Sequence, residues 1–165
     1  MIESVLVHPA DEADVAELAD VAASTFPMAC PPSAPADDIA AFVATHLSAR
    51  RFAEYVTDPN RTVLIATFDD RFLGYAMLIR DGPDVELSKM YLLADQHSTG
   101  AAAELMQAGI DWAADCGAHT LWLGVNQKNK RAQRFYRKHG FSVTGTRTFP
   151  LGNTVENDFV MGRSL

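Results

Sequence analysis

The hydrophobic pattern of the chain changes its period at Arg61, and this change limits the folds open to it. Before Arg61, apolar side chains recur at the i, i+3, i+4 spacing of amphipathic helices. After it come three β-rich runs: RTVLIATF (61–68), RFLGYAMLI (71–79) and DVELSKMYLL (84–93). A short polar turn at Asp69 and Asp70 joins the first two runs. Three such runs in succession predict an antiparallel meander.

Further elements flank this meander on both sides. A short strand at 4–10 opens the chain, and the proline-broken segment PMACPPSAPA (27–36) predicts a loop between the first two helices. The other predicted elements are helices at 15–22, 37–47, 49–57, 101–116 and 129–139 and strands at 119–125, 141–149 and 155–162. This order predicts an α/β fold, in which about four to five helices flank a mixed central sheet of about six or seven strands.

Composition and charge narrow the class of protein further. With 165 residues, 48% of them hydrophobic, the chain suits a single domain spanning 1–165. A net charge of −7 opposes binding to nucleic acid, and no apolar run approaches the roughly 18 residues of a membrane span. The two cysteines are far apart and the five histidines lack metal-ligand spacing. We therefore expect a cytoplasmic protein without a metal, a membrane partner or a nucleic-acid partner.

The loop QHSTGAAAEL, which runs from a strand into the long helix, is a candidate phosphate site. Gly100 allows a close approach or a positive φ, and Ala101 and Ala102 keep the first helical turn free of bulk. Ser98 and Thr99 add hydroxyl donors. Ordinary helix capping explains the same residues, and both interpretations stay open from this loop alone. The chain lacks GxxxxGK[ST] and GxGxxG, which argues against an ATPase or a nicotinamide enzyme.

The helix NKRAQRFYRKHGF (129–141) carries a tyrosine on its apolar face. Ala132, Phe135 and Tyr136 lie at i, i+3 and i+4, so Tyr136 points toward the predicted sheet and its hydroxyl needs a partner. A satisfied core tyrosine is one explanation, and Asn129 is by default a helix N-cap. The order of phosphate loop, helix, strand and NxxAxxFYxxxGF favours a functional explanation.

That order resembles the GNAT superfamily of acyl-CoA-dependent N-acyltransferases over nearly the whole chain. The pyrophosphate signature of that family, [QR]xxGx[GA], falls on His97 to Ala102, with His97 in place of the usual Gln or Arg. The later motif falls on 129–141 without a gap. The stretch TLWLGVNQKNKRAQRFYRKHGFSVTGTRTFPLG, together with ENDFVM and STFP, more closely resembles bacterial spermidine/spermine acetyltransferases.

The resemblance implies a binding mode for acetyl-CoA as co-substrate. Two central parallel strands, here VELSKMYLL (85–93) and HTLWLGV (119–125), would splay apart and receive the pantetheine arm between them. Main-chain groups of Met90, Tyr91 and Leu92 would hold the arm and the acetyl carbonyl. The other implied cofactor-binding residues are His97, Ser98, Thr99, Gly100, Ala101, Ala102, Asn126, Asn129 and Tyr136.

The resemblance also assigns two catalytic residues. Tyr136 would protonate the departing CoA thiolate, and Glu86, at the start of the splayed strand, would be the general base for the acceptor amine. Period-two geometry predicts that Glu86 shares one strand face with Ser88, Met90 and Leu92. A solvated glutamate with a water chain acting as the base is the alternative.

The acceptor pocket is predicted less sharply. In this superfamily the early helices usually form one wall of the acceptor pocket, so the residues expected there are Phe26, Pro27, Met28 and Phe42. Asp81 and Asp84 are expected near the mouth of the pocket, but these two carboxylates could equally be ordinary turn residues. Cys30 and Cys116 lack a neighbouring histidine base, so no catalytic role is expected for either.

We thus expect acetyl transfer to the primary amine of a small molecule, with a polyamine as the finer prediction, by direct transfer in a ternary complex. Acetylation of a protein N-terminus or lysine is the enzymatic alternative, and a non-catalytic acyl-CoA sensor is the alternative from another class. The resemblance allows a homodimer, but no interface is evident in the sequence.

Overall fold

The computed structural model describes residues 4–93 and 100–165. Its strands are β1 (Leu6–Pro9), β2 (Arg61–Phe68), β3 (Arg71–Asp81), β4 (Asp84–Leu92), β5 (Thr120–Asn126), β6 (Ser142–Leu151) and β7 (Thr154–Ser164). Its α-helices are α1 (Val15–Ala29), α2 (Ala36–His46), α3 (Ala49–Thr57), α4 (Ala101–Asp115) and α5 (Lys130–Lys138). Every element predicted from the sequence is present.

Within the described residues the strands form one seven-stranded sheet in the order β1-β2-β3-β4-β5-β7-β6. Strands β4 and β5 pair in parallel, and the other neighbours pair antiparallel. The parallel pair arises because α4 returns the chain to the same end of the sheet before β5 begins. The predicted α/β fold with a mixed sheet is confirmed.

Helices cover both faces of this sheet. Leu64 and Ala66 belong to a core that also holds residues of α4 and α5, whereas Val63 and Ile65 belong to a second core that holds residues of α1, α2 and α3. The run TVLIATF is therefore continuously apolar because its side chains enter two cores in turn. Each large buried aliphatic side chain stabilises the fold by about 1.5–3 kcal/mol.

The first helix continues past the point where the sequence predicts a loop. Pro27 lies inside α1, which ends at Ala29, and the Cys30 N–H donates to the Pro27 carbonyl oxygen. Packing explains the extension, because the Phe26 ring is buried and stacks on Phe42 at 4.5 Å. Tertiary contact thus holds the last turn despite the missing proline donor. Met28 therefore lies in a helix rather than in the predicted loop.

Strands β4 and β5 separate soon after they meet. Their register has two pairs, Val85 with Leu121 and Glu86 with Trp122, and beyond these the strands run on without pairing to each other. The gap predicted between two splayed parallel strands is present. Both strands thus leave main-chain polar groups facing the gap.

None of the helices in the described ranges combines the length and the apolar composition needed to cross a membrane.

Candidate active site

A cavity of about 450 Å³ opens at the gap between β4 and β5. It is lined from α1 by Thr25, Phe26, Met28 and Ala29, with Cys30 and Pro31 following; from β4 by Ser88, Lys89, Met90, Tyr91 and Leu92; from α4 by Ala102; from β5 by Gly124, Val125 and Asn126; from α5 and its cap by Asn129, Arg131, Ala132, Phe135 and Tyr136; and from β6 and β7 by Arg147, Phe149, Leu151, Glu156 and Asp158. Residues distant in sequence therefore converge on one space that reaches both faces of the sheet.

Most predicted cofactor-binding residues reach this cavity. Those that line it are Met90, Tyr91, Leu92, Ala102, Asn126, Asn129 and Tyr136. Gly100 and Ala101 begin α4 beside it without lining it, and Ala101 is fully buried. His97, Ser98 and Thr99 lie outside the described residues.

Gly100 sets the entry into α4. Its φ of 84° lies in the left-handed region, which strongly favours glycine, and its carbonyl oxygen accepts from the Glu104 N–H. A Cβ at this position would meet no atom of the described residues within 4 Å, so the constraint shown is backbone conformation rather than space. The first turn of α4 then brings Ala102 to the cavity, with the positive end of the helix dipole beside it.

Tyr136 lies in α5 with its ring packed between aromatic neighbours. The ring centroids of Phe135 and Phe141 are 5.7 and 6.0 Å away. Burial raises the pKa of the Tyr136 hydroxyl to about 12, so the phenol is protonated at neutral pH. In the part of the chain that the structure describes, this hydroxyl makes no hydrogen bond, and the residue faces the cavity. The hydroxyl is thus available to a ligand.

A buried glutamine, which the sequence reasoning missed, fixes the turn into α5. Gln133 is 2% exposed, and its Nε2 donates to the carbonyl oxygens of Asn126 at 3.2 Å and Gln127 at 3.0 Å. Asn129 caps the helix by accepting from the Ala132 N–H at 3.1 Å. The available signal was a polar residue three positions before Tyr136, on the helix face that packs inward.

A bulge in β4 overturns the predicted sharing of one strand face. Opposite β3, Leu78 pairs with Leu87 while Met77 pairs with Lys89, so Ser88 is an extra residue. Met90 and Leu92 therefore pack toward α4 and α5, as Leu87 does. Glu86 lies on the opposite face, which it shares with Lys89 and Tyr91 rather than with Met90 and Leu92. The prediction from strict alternation was wrong because an inserted residue moves the side chains that follow it to the other face of the strand.

Glu86 is held by an arginine from β6. Its Oε2 lies 3.7 Å from Nη1 of Arg147, whose Nε also donates to Oδ2 of Asp158 at 3.2 Å. The guanidinium covers Gly124 so closely that any Cβ there would overlap it. Glu86 itself does not line the cavity. Arg147 and Asp158 were missed because only the β6–β7 register sets them opposite each other.

Lys89 is a further cation on this face. Its Nζ donates to the carbonyl oxygen and the hydroxyl of Ser88, both at 3.2 Å, and lies 6.0 Å from the centroid of the Phe42 ring. Burial, reinforced by Arg147 and Arg61 and opposed by Glu86, lowers the pKa of Lys89 to about 8. The sequence offered no signal for this residue, because its orientation depends on the bulge.

Some of the residues predicted for the acceptor pocket line the cavity and others do not. Phe26 and Met28 line the cavity, and Phe42 supports Phe26 from behind. Asp81 and Asp84 do not line it: they face each other where the β3–β4 hairpin closes. Of the two explanations left open for these residues, the turn therefore holds, because β4 begins at this hairpin and opens from β5 only further along the strand.

Cys30 lines the cavity beside β7. Burial and the nearby Glu156 carboxylate raise the pKa of its thiol to about 11, so the thiol is protonated at neutral pH. The thiol lies 3.4 Å from the Phe26 carbonyl oxygen, to which it donates. Among residues 4–93 and 100–165, His, Cys, Asp and Glu side chains form no group of three suited to a metal ion.

The chain matches the family model described as "Acetyltransferase (GNAT) family" over residues 15–141. An uncharacterized N-acetyltransferase of Mycobacterium tuberculosis is 61% identical over 153 residues, which cover 92% of this chain and 98% of that protein.

Two solved structures illustrate the likeness in fold. The PaiA N-acetyltransferase of Thermoplasma acidophilum, solved in complex with coenzyme A, superimposes with a TM-score of 0.86 over 98% of this chain and 99% of that one, at 19% identity. The ribosomal-protein-S18-alanine N-acetyltransferase of Escherichia coli gives a TM-score of 0.74 over 97% and 93%, at 17% identity. At such identities the similarity establishes the fold alone.

Proposed function

The chain belongs to the acetyltransferase (GNAT) family, and we propose that it transfers the acetyl group of acetyl-CoA directly to the primary amine of a small molecule. One observation carries this proposal above the others. The gap between β4 and β5 opens into a cavity where the Tyr136 hydroxyl, which is protonated and unbonded among the described residues, faces the space.

The unpaired edges of the gap suit an amide-containing arm. Beyond Glu86, the β5-facing main chain of β4 is free to pair with an extended ligand, as a sheet edge pairs with a peptide. Met90 and Leu92 line this edge, and Ala102 and Ala132 offer small side chains near the helix starts. The N-terminus of α4 favours the negative charge of a diphosphate. These features support acetyl-CoA as the co-substrate.

The proposed chemistry needs an oxyanion donor and an acid. A main-chain N–H near Met90 would donate to the carbonyl oxygen of the thioester and stabilise the negative charge that forms there when the amine attacks. The Tyr136 hydroxyl would then donate its proton to the sulfur as the carbon–sulfur bond breaks. The attacking nitrogen, which must lose a proton to become an amide, restores the phenol.

The charged side chains that line the cavity limit how many positive charges the acceptor can carry. Among the residues that the structure describes, three cations (Lys89, Arg131 and Arg147) and two anions (Glu156 and Asp158) line the cavity, and Arg147 already pairs with Asp158. Glu156 makes no ion pair in the described part of the chain, so it is the carboxylate available to an acceptor cation. We therefore propose an acceptor with one or two ammonium groups; this lining gives little support to a longer polyamine.

The test measures release of free thiol from acetyl-CoA with spermidine, benzylamine, aniline, free amino acids and a short peptide. For Tyr136→Phe we expect kcat to fall by roughly 10²–10⁴ with an unchanged acetyl-CoA affinity by calorimetry. Tyr55→Phe is the matched control, because the Tyr55 hydroxyl bonds to the His46 carbonyl oxygen and does not reach the cavity.

Each other outcome has a defined meaning. Acetyl-CoA binding without turnover of any acceptor would favour a sensor, and turnover of the peptide alone would favour a protein acetyltransferase. Full activity of Tyr136→Phe would remove this residue from the mechanism. Failure to bind acetyl-CoA would refute the proposed function.

A further inference from the structure

Lys89 lies in β4 beside the proposed thioester site and lines the cavity. It precedes Met90, whose main chain is proposed to hold the thioester, and the Ser88 bulge turns it to the face opposite Met90. Its side chain enters the same cavity as Tyr136. A thioester lying in the gap would therefore have Tyr136 on one side of the sheet and Lys89 on the other.

Two arginines and one glutamate act on the charge of Lys89. Its amine bonds only to Ser88 in the described part of the chain and has no carboxylate partner there. The charged and titratable groups that act on it or feel it are Glu86 of β4, Arg147 of β6, Arg61 of β2 and His46 of α2. Glu86 is the single anion among these four, and it already pairs with Arg147.

We propose that Lys89, in its neutral form, is the general base that takes the proton from the acceptor ammonium. This inference rests on the proposed function. The N–H bond of the acceptor ammonium breaks, its electron pair stays on the acceptor nitrogen, and the proton forms the third N–H bond of the Lys89 ammonium. The free amine then attacks the thioester carbonyl, and the Lys89 ammonium, facing Glu86, later returns its proton to water.

Geometry favours Lys89 over Glu86 for direct contact with the amine. Lys89 lines the cavity, whereas Glu86 does not and is held by Arg147. Glu86 instead supplies a negative charge that stabilises the Lys89 ammonium once it forms. A pKa of about 8 gives Lys89 an appreciable neutral fraction near neutral pH, as a general base requires.

The experiment compares wild type, Lys89→Met and Lys89→Arg on two acceptors of the panel. Benzylamine is an ammonium at neutral pH, whereas aniline is already a free amine. Met removes the base at similar length, and Arg keeps a cation that cannot act as a base. With benzylamine we expect both variants to lose roughly 10²–10⁴ in kcat/KM, and with aniline we expect most of that loss to disappear.

The pH profile supplies the second readout. Wild-type kcat/KM with benzylamine should rise with a pH limb near 8, and this limb should be missing in both variants. Acetyl-CoA affinity by calorimetry and the thermal midpoint of each variant report whether the fold is retained, and Lys89→Gln replaces any variant that fails this check.

Three results would overturn the inference. The first is full activity of Lys89→Arg, which would show that a cation unable to act as a base suffices at this position. The second is equal losses with benzylamine and aniline, and the third is persistence of the limb near pH 8 in Lys89→Met. If wild type turned over neither these acceptors nor the rest of the panel, the proposed function would fail, and this inference with it.

Discussion

Replacing Lys89 by Met should stabilise the protein at neutral pH and do so less at high pH. The pKa of Lys89 falls from 10.5 to about 8 on folding, mainly through burial. At 1.36 kcal/mol per unit, keeping this lysine charged in the fold at pH 7 costs up to about 3 kcal/mol. Partial exposure and solvent screening reduce the expected figure to about 1–2 kcal/mol.

The direction in which stability changes with pH follows from proton binding by Lys89. Between pH 8 and 10.5 the unfolded chain holds more protons on Lys89 than the folded chain does, so wild-type stability rises with pH in this window. Below pH 8 both states are protonated and the full penalty persists. The stability advantage of Lys89→Met over wild type should therefore shrink by about 1 kcal/mol or more between pH 7 and pH 10.

Urea unfolding at pH 7, 8, 9 and 10, followed by the fluorescence of Trp112 and Trp122, measures this difference directly. The difference between variant and wild type cancels every other group that titrates in the window. Lys130→Met, at an exposed position in α5, controls for the loss of a surface lysine. A Lys89→Met difference that stays constant with pH would show that this lysine is not desolvated, and the reasoning would fail.

Three further predictions concern the surroundings of the site. Gly124→Ala should displace the Arg147 guanidinium and destabilise the fold by about 1–2 kcal/mol in urea. Gly145→Ala should not, because its Cβ would meet no atom of the described residues within 4 Å, and equal midpoints for the two variants would contradict the packing. Gln133→Leu should lower stability by about 1–3 kcal/mol, because the partly buried Gln127 carbonyl oxygen loses its donor, whereas the Asn126 carbonyl oxygen keeps the Asn129 N–H; an unchanged midpoint would argue against this. Glu156→Gln should raise KM about fivefold for a diamine but not for a monoamine, and equal effects on both would exclude Glu156 as the site of the second ammonium.

The predicted family and fold class are confirmed, and so is the class of enzyme, N-acetyltransferase. Local signals sufficed for these: the change of period at Arg61, Gly100 before α4, and the motif that carries Asn129 and Tyr136. The roles of Tyr136 and Glu86 stay predictions. The loop predicted at Pro27 was wrong, because packing of Phe26 carries the helix on to Ala29. For Asp81 and Asp84 the sequence left an acceptor role and a turn open, and the position of the hairpin decided for the turn.

The sequence by itself determined which segments become helices and strands and which short motifs lie at helix starts, because periodicity, capping and turn chemistry act over a few neighbouring residues. Only the tertiary structure decided which side chains share the acceptor side of the cavity. One extra residue at Ser88 reverses the face of everything after it in β4, and Arg147 reaches Glu86 from a strand that is three places away in the sheet. Such convergence depends on register and strand order, which no local pattern encodes.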